Sequence, residues 1–163
     1  MFKLFFRVKH PKARLYPGLL LLIVPLLGCQ LVPPLPPANL QEPGWTVRQG
    51  QAVWRLGRDS KEIAGDFMVA TKSDGASFVQ FTKPSFPFLI GRQTPTQWQV
   101  EIPPQNKRYS GRGKPPKRLI WLWLPRAISG QAPPHNWVWS LEGSTWHLTN
   151  GKSGESLEGY FEQ

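Results

Sequence analysis

Cysteine occurs once in the 163 residues, at position 29, so an internal disulfide is excluded and the fold must rest on its core alone. Histidine is nearly as scarce: beyond residue 28 only His135 and His147 remain, and neither stands at metal-ligand spacing from a second donor. No Gly-x-Ser-x-Gly elbow occurs, and Gly111 and Gly113 lack the strand-to-helix setting of a phosphate-cradling loop. Asp59, Glu62 and Asp66 are close together, but at a turn and a strand start, where carboxylates are ordinarily solvated. These absences argue against an enzyme and imply neither metal nor cofactor. A long hydrophobic run is missing as well. The apolar run 19–27 has nine residues and contains Pro25, whereas a transmembrane helix needs about 20 apolar residues.

What stands before that run is basic. Lys3, Arg7, Lys9, Lys12 and Arg14 precede it with no acid nearby, the charge order of a secretory signal peptide. Removing residues 1–28 takes away five of the 20 Lys and Arg residues and none of the ten Asp and Glu residues, which leaves a net charge of +5 on 135 residues. That length suits one domain with a single core.

The run ends in Leu26-Leu27-Gly28-Cys29, which resembles the lipobox of bacterial lipoprotein precursors. The resemblance implies cleavage before Cys29 and acylation of its thiol, with about 0.8 kcal/mol of membrane anchoring for each buried CH₂. The alternative is that Cys29 is a small core residue of an apolar helix. Gln30, in place of Asp, implies by the same resemblance retention at the outer membrane, lipid-anchored and facing the periplasm. Residues 29–44 hold Pro33, Pro34, Pro36, Pro37 and Pro43, which predicts an extended, semi-rigid tether lifting the domain off the bilayer. A proline-rich ligand for a recognition module is the other reading.

From residue 45 to 163 the pattern predicts a mainly β domain: a meandering antiparallel sheet with one short helical segment. Eight strands are expected, at 46–56, 62–71, 76–83, 86–92, 97–102, 136–142, 145–150 and 156–161. Ser73-Asp74-Gly75, Glu142-Gly143-Ser144 and Asn150-Gly151 supply turns. Phe67 and Val69 against Phe78 and Phe81 place aromatics inside the first of these hairpins. Trp137, Trp139 and Leu141 share one face, as do Trp146 and Leu148, so one side of the sheet is buried. Residues 117–128 follow Pro115-Pro116 and end before Gly130, as a short helix would. Leu119 to Leu124 are six consecutive apolar residues, however, and Pro125 ends or kinks a helix, so a buried strand remains open.

Lipobox, tether, antiparallel strands, the interruption Leu124-Pro125-Arg126-Ala127-Ile128-Ser129-Gly130 and a terminal Glu158-Gly159-Tyr160 together resemble the LolB lipoprotein-receptor family of the LolA/LolB carrier fold. The resemblance implies a strongly curved sheet forming an incomplete β-barrel, whose apolar concave face, covered by helices, shelters the acyl chains of other lipoproteins, handed over by a periplasmic carrier, for release into the outer membrane. Large aromatics can line such a cavity. The candidates are Trp54, Phe67, Phe78, Phe81, Phe88, Trp98, Trp121 and Trp123, with Trp137 and Trp139 beside them; the plainer reading makes each a core residue. Phe86, between Pro84 and Pro87, is the nearest equivalent of the family's exposed, membrane-directed residue.

A cationic segment gives a further membrane candidate. Lys107, Arg108, Arg112, Lys114, Lys117 and Arg118 fall within twelve residues without an acid, a mobile loop able to meet anionic lipid head groups at about 1 kcal/mol per basic residue. A solvated loop protecting a sheet edge is the alternative, and nucleic acid is not an expected partner of an exported lipoprotein. Two functions therefore stand: an acyl-chain carrier or receptor, and a structural or interaction lipoprotein without carrier activity. A cavity on the order of several hundred Å³ between the sheet and residues 119–124 separates them.

Overall fold

The computed structural model describes residues 32–84 and 86–162. The signal segment, the lipobox and Cys29 lie outside them. Among the described residues nine strands form one antiparallel sheet: β1 (Trp45–Arg55), β2 (Glu62–Lys72), β3 (Ser77–Lys83), β4 (Phe86–Gln93), β5 (Gln97–Ile102), β6 (Lys107–Arg112), β7 (Trp137–Glu142), β8 (Thr145–Asn150) and β9 (Ser156–Phe161). One helix, α1 (Ile120–Ile128), separates β6 from β7. Hairpins carry the chain outward from β1 to β6. After α1 it resumes at the opposite edge, and β9 returns to pair with β1, giving the order β6-β5-β4-β3-β2-β1-β9-β8-β7. With β6 and β7 unjoined, the sheet is an incomplete barrel. Among the described residues no helix is long and apolar enough to cross a membrane.

Its curvature comes from glycines in the central strands. A Cβ at Gly50 would overlap the Tyr160 carbonyl oxygen, one at Gly65 that of Thr82, and one at Gly159 that of Gln51, so the backbones approach where a side chain would hold them apart. The turns are those the sequence signals. Gly75 has φ +89° and donates its N–H to the Lys72 carbonyl, while Asp74 Oδ1 accepts from Ala76 N–H. At the β8–β9 turn the positive φ falls on Gly154, and Asn150 Oδ1 accepts from Lys152 and Ser153 N–H.

Three expectations need correction. Residues 107–112 are not a mobile loop but edge strand β6, paired to β5 from Ile102–Lys107 to Gln97–Arg112. Lys, Arg, Ser and Gly have little strand preference of their own; the β5 edge and the turn at Pro103–Gln105, closed by left-handed Asn106, impose the strand. Of the two effects expected of Pro125, ending the helix does not hold: it lies inside α1, which continues to Ile128 and has six of its nine residues buried. That burial offsets the roughly 3 kcal/mol an interior proline costs. Phe78 pairs with Ala70 and so points to the face opposite Phe67, Val69 and Phe81, because positions 78 and 81 differ by an odd number in a two-residue repeat.

The proline-rich segment is also more than a tether from residue 32 onward. Leu35 is the only residue from Pro33 to Pro37 with a backbone N–H, and it donates that proton to Gln99 Oε1 at 2.8 Å. Gln99 is 1% exposed, and by register it lies in a row with Arg92, Phe78 and Ala70 across the outer face of β5 to β2. Ala70 and Phe78 are buried too. A segment unable to join the sheet through its own ladder therefore docks through its single donor.

Candidate functional site

The concave face carries Ala52, Phe67, Val69, Val79, Phe81, Leu89, Val100, Trp146, Leu148 and Leu157, all buried, and α1 adds Ile120, Trp121, Leu122 and Leu124. Each of the larger aliphatic and aromatic side chains among them contributes about 1.5–3 kcal/mol by leaving water. Trp121 projects from α1 into an aromatic setting built by three strands. Its ring meets Phe81 at 4.8 Å and Trp54 edge-on at 5.7 Å, and Phe88 stands edge-on to both of those. A second cluster joins Phe67 to Trp146 at 5.1 Å and to Phe161, with Trp139 stacked on Trp146.

A pocket of about 90 Å³ lies in this interior, lined by Trp54, Leu89, Val100, Ile102, Ile120 and Trp121, with Tyr109, Arg118 and Glu155. A larger apolar groove of about 560 Å³ lies on the outer face instead, where Val53, Ala64, Asp66, His147, Glu158 and Tyr160 project from β1, β2, β8 and β9.

Of the eight residues expected to line a cavity, Trp54, Phe67, Phe81, Phe88 and Trp121 belong to the interior, and half-buried Trp98 packs against it from β5, its indole filling the space above Gly111. Phe78 faces the other way. Trp123 is half-buried on α1, where its Nε1 donates to the Pro116 carbonyl at 3.2 Å and Arg126 lies over its ring. Trp137 and Trp139 join the side of the core nearest β8. Trp146, fully buried, belongs to the same interior; its alternation with Leu148 is the signal that identifies it.

Two polar groups at this interior have no sequence signature. Gln93, 3% exposed, donates from Nε2 to the Leu122 carbonyl at 2.6 Å and to Ser77 Oγ at 3.0 Å, while its Oε1 accepts from Arg126 Nε at 3.1 Å. This one side chain joins β4 to α1 at two points. Glu155, half-buried in the β8–β9 connection, accepts from Trp54 Nε1 at 3.3 Å. Burial pushes its carboxyl above the ordinary range, and the Trp54 bond opposes that in part.

The membrane candidates fall on two elements. Phe86 is 46% exposed at the β3–β4 hairpin, opposite Lys83. Lys107, Arg108 and Arg112 are exposed on β6, and Lys114 is exposed just beyond it. Arg108 Nε lies 3.6 Å from Glu101 Oε1, which also pairs with Arg92. No protein-family model matches the chain, and no curated protein is significantly similar to it.

Proposed function

We propose that the protein is a non-catalytic lipoprotein, anchored through acylated Cys29 to the periplasmic side of the outer membrane, that shelters acyl chains during lipoprotein localisation. The observation that carries this reading is the closure of the concave face: an incomplete barrel with an aromatic interior is plugged by one nine-residue helix. Proline pairs, Pro115-Pro116 and Pro133-Pro134, flank that helix on both sides. Its cargo would be another lipoprotein's acyl chains, delivered by a periplasmic carrier.

Energetics allow exchange between plug and cargo. Ile120, Trp121, Leu122 and Leu124 together gain about 6–12 kcal/mol from burial. An acyl chain of about 16 carbons gains roughly 11–13 kcal/mol at about 0.8 kcal/mol per CH₂. The chain can replace those side chains at near balance, and it must, because about 90 Å³ holds only a few of its carbons.

A second reading rests on that small volume: a filled core belongs to a structural or interaction lipoprotein without carrier activity. Fluorescence titration of the mature chain with an environment-sensitive acyl probe, followed by competition, separates them. Displacement by an acylated lipoprotein peptide and not by its unacylated form is the carrier outcome. No saturable binding by folded protein supports the filled core.

A further inference from the structure

The docked proline segment and the cationic edge strand lie together on the sheet. Leu35 N–H holds to Gln99 of β5, and the register places Gln99 opposite Ser110 of β6, with Arg108 and Arg112 on the same outer face two residues to either side. Lys107, Arg112, Lys114, Lys117 and Arg118 have no ion-pair partner among the described residues, and only Arg108 is partly offset, by Glu101. Docking at Leu35 also limits reach. From Cys29 to Leu35 there are six Cα steps, which span at most about 20 Å even when fully extended.

We propose that this strap orients the domain, setting the outer face of β5–β6 against the bilayer so that Arg108 and Arg112, with Lys114 just beyond the strand, meet anionic phospholipid head groups; Lys107, paired with Ile102, projects from the other face. The inference rests on Cys29 carrying the lipid. A free tether of the length from Cys29 to Trp45 would let the domain tumble; docking at Leu35 shortens the reach available for that to six Cα steps. The cations then stand where the negative surface potential acts, within a screening length of about 8 Å at physiological salt. An exposed basic strand also keeps the β6 edge from pairing with another chain.

The test uses the mature lipidated protein bearing a fluorophore at Ser110→Cys, reconstituted into phosphatidylcholine vesicles with or without phosphatidylglycerol. Quenching by neutral acrylamide should fall severalfold in the anionic vesicles, and high salt should restore it. A fluorophore at Thr149→Cys, on the outer face of β8, should be quenched equally in both. Arg108→Glu with Arg112→Glu, both exposed positions on the outer face, should abolish the protection, and Gln99→Leu should weaken it by freeing Leu35. Equal quenching at position 110 in both vesicles, from protein that floats with them, overturns the proposal. Protein that fails to float, and behaves as Cys29→Ser does, overturns the anchoring reading beneath it.

Discussion

Gln93 Nε2 stands 2.6 Å from the Leu122 carbonyl oxygen, and with Arg126 Nε on its Oε1 this glutamine makes both side-chain hydrogen bonds joining the sheet to α1 among the described residues. Replacing it by Ala removes the latch and leaves the Leu122 carbonyl and Ser77 short of a partner, at about 1–3 kcal/mol. Urea unfolding should show that loss. Acyl-probe affinity should rise, because less free energy then holds the helix in place.

Trp121 fills the space between Phe81 and Trp54. Trp121→Ala should cost about 3–5 kcal/mol, read as a lowered Tm, and the enlarged cavity should bind small apolar molecules that the parent protein excludes.

Glu155 gives the pH dependence a sign. Its carboxyl is raised in the folded protein, so the native state holds the proton more tightly than the unfolded chain does. Stability from this group is present below the ordinary carboxylate range and is lost as pH rises from there through the higher folded value. Glu155→Gln should therefore stabilise the protein at neutral pH, change little in acid, and flatten stability against pH across that interval. Denaturant midpoints measured over the acid range check this.

Gly159 lies where a Cβ would overlap the Gln51 carbonyl oxygen and crowd the Trp146 ring. Gly159→Ala should destabilise by about 1–3 kcal/mol, the range for overpacking a filled interior. Gly143→Ala, in a turn with open space around it, should cost less, through its positive φ alone.

Strands with alternating apolar residues were legible in the sequence. Trp137, Trp139 and Leu141 opposite Trp146 and Leu148 mark one face directly, and Trp139–Leu148 and Leu141–Trp146 pair as that pattern requires, but burial on that face fades along β7: Trp137 is buried, Trp139 half-buried and Leu141 42% exposed. β6 was not legible, because its residues favour water and only the neighbouring β5 edge makes them a strand. The docked Leu35 was equally hidden, since proline spacing specifies an extended backbone and says nothing of what it touches. Leu119 to Leu124 left helix and strand open for a physical reason: an element buried on most sides loses the polar face that would reveal its period. Aromatic content marked the interior correctly at Phe67, Phe81 and Trp121, but composition cannot distinguish a lined cavity from a filled one. Gln93 and Glu155 carry no pattern at all; their roles arise only when β4 meets α1 and the β8–β9 connection meets Trp54.

Hydrogen exchange across α1 tests the plug most directly. With saturating acylated lipoprotein peptide, the amides of Ile120–Ile128 should lose protection while those of β2 and β3 keep theirs, because the acyl chain takes the place of Trp121 and its neighbours. Protection of α1 that is unchanged by the acylated peptide would contradict the account and leave the helix as a permanent part of the core.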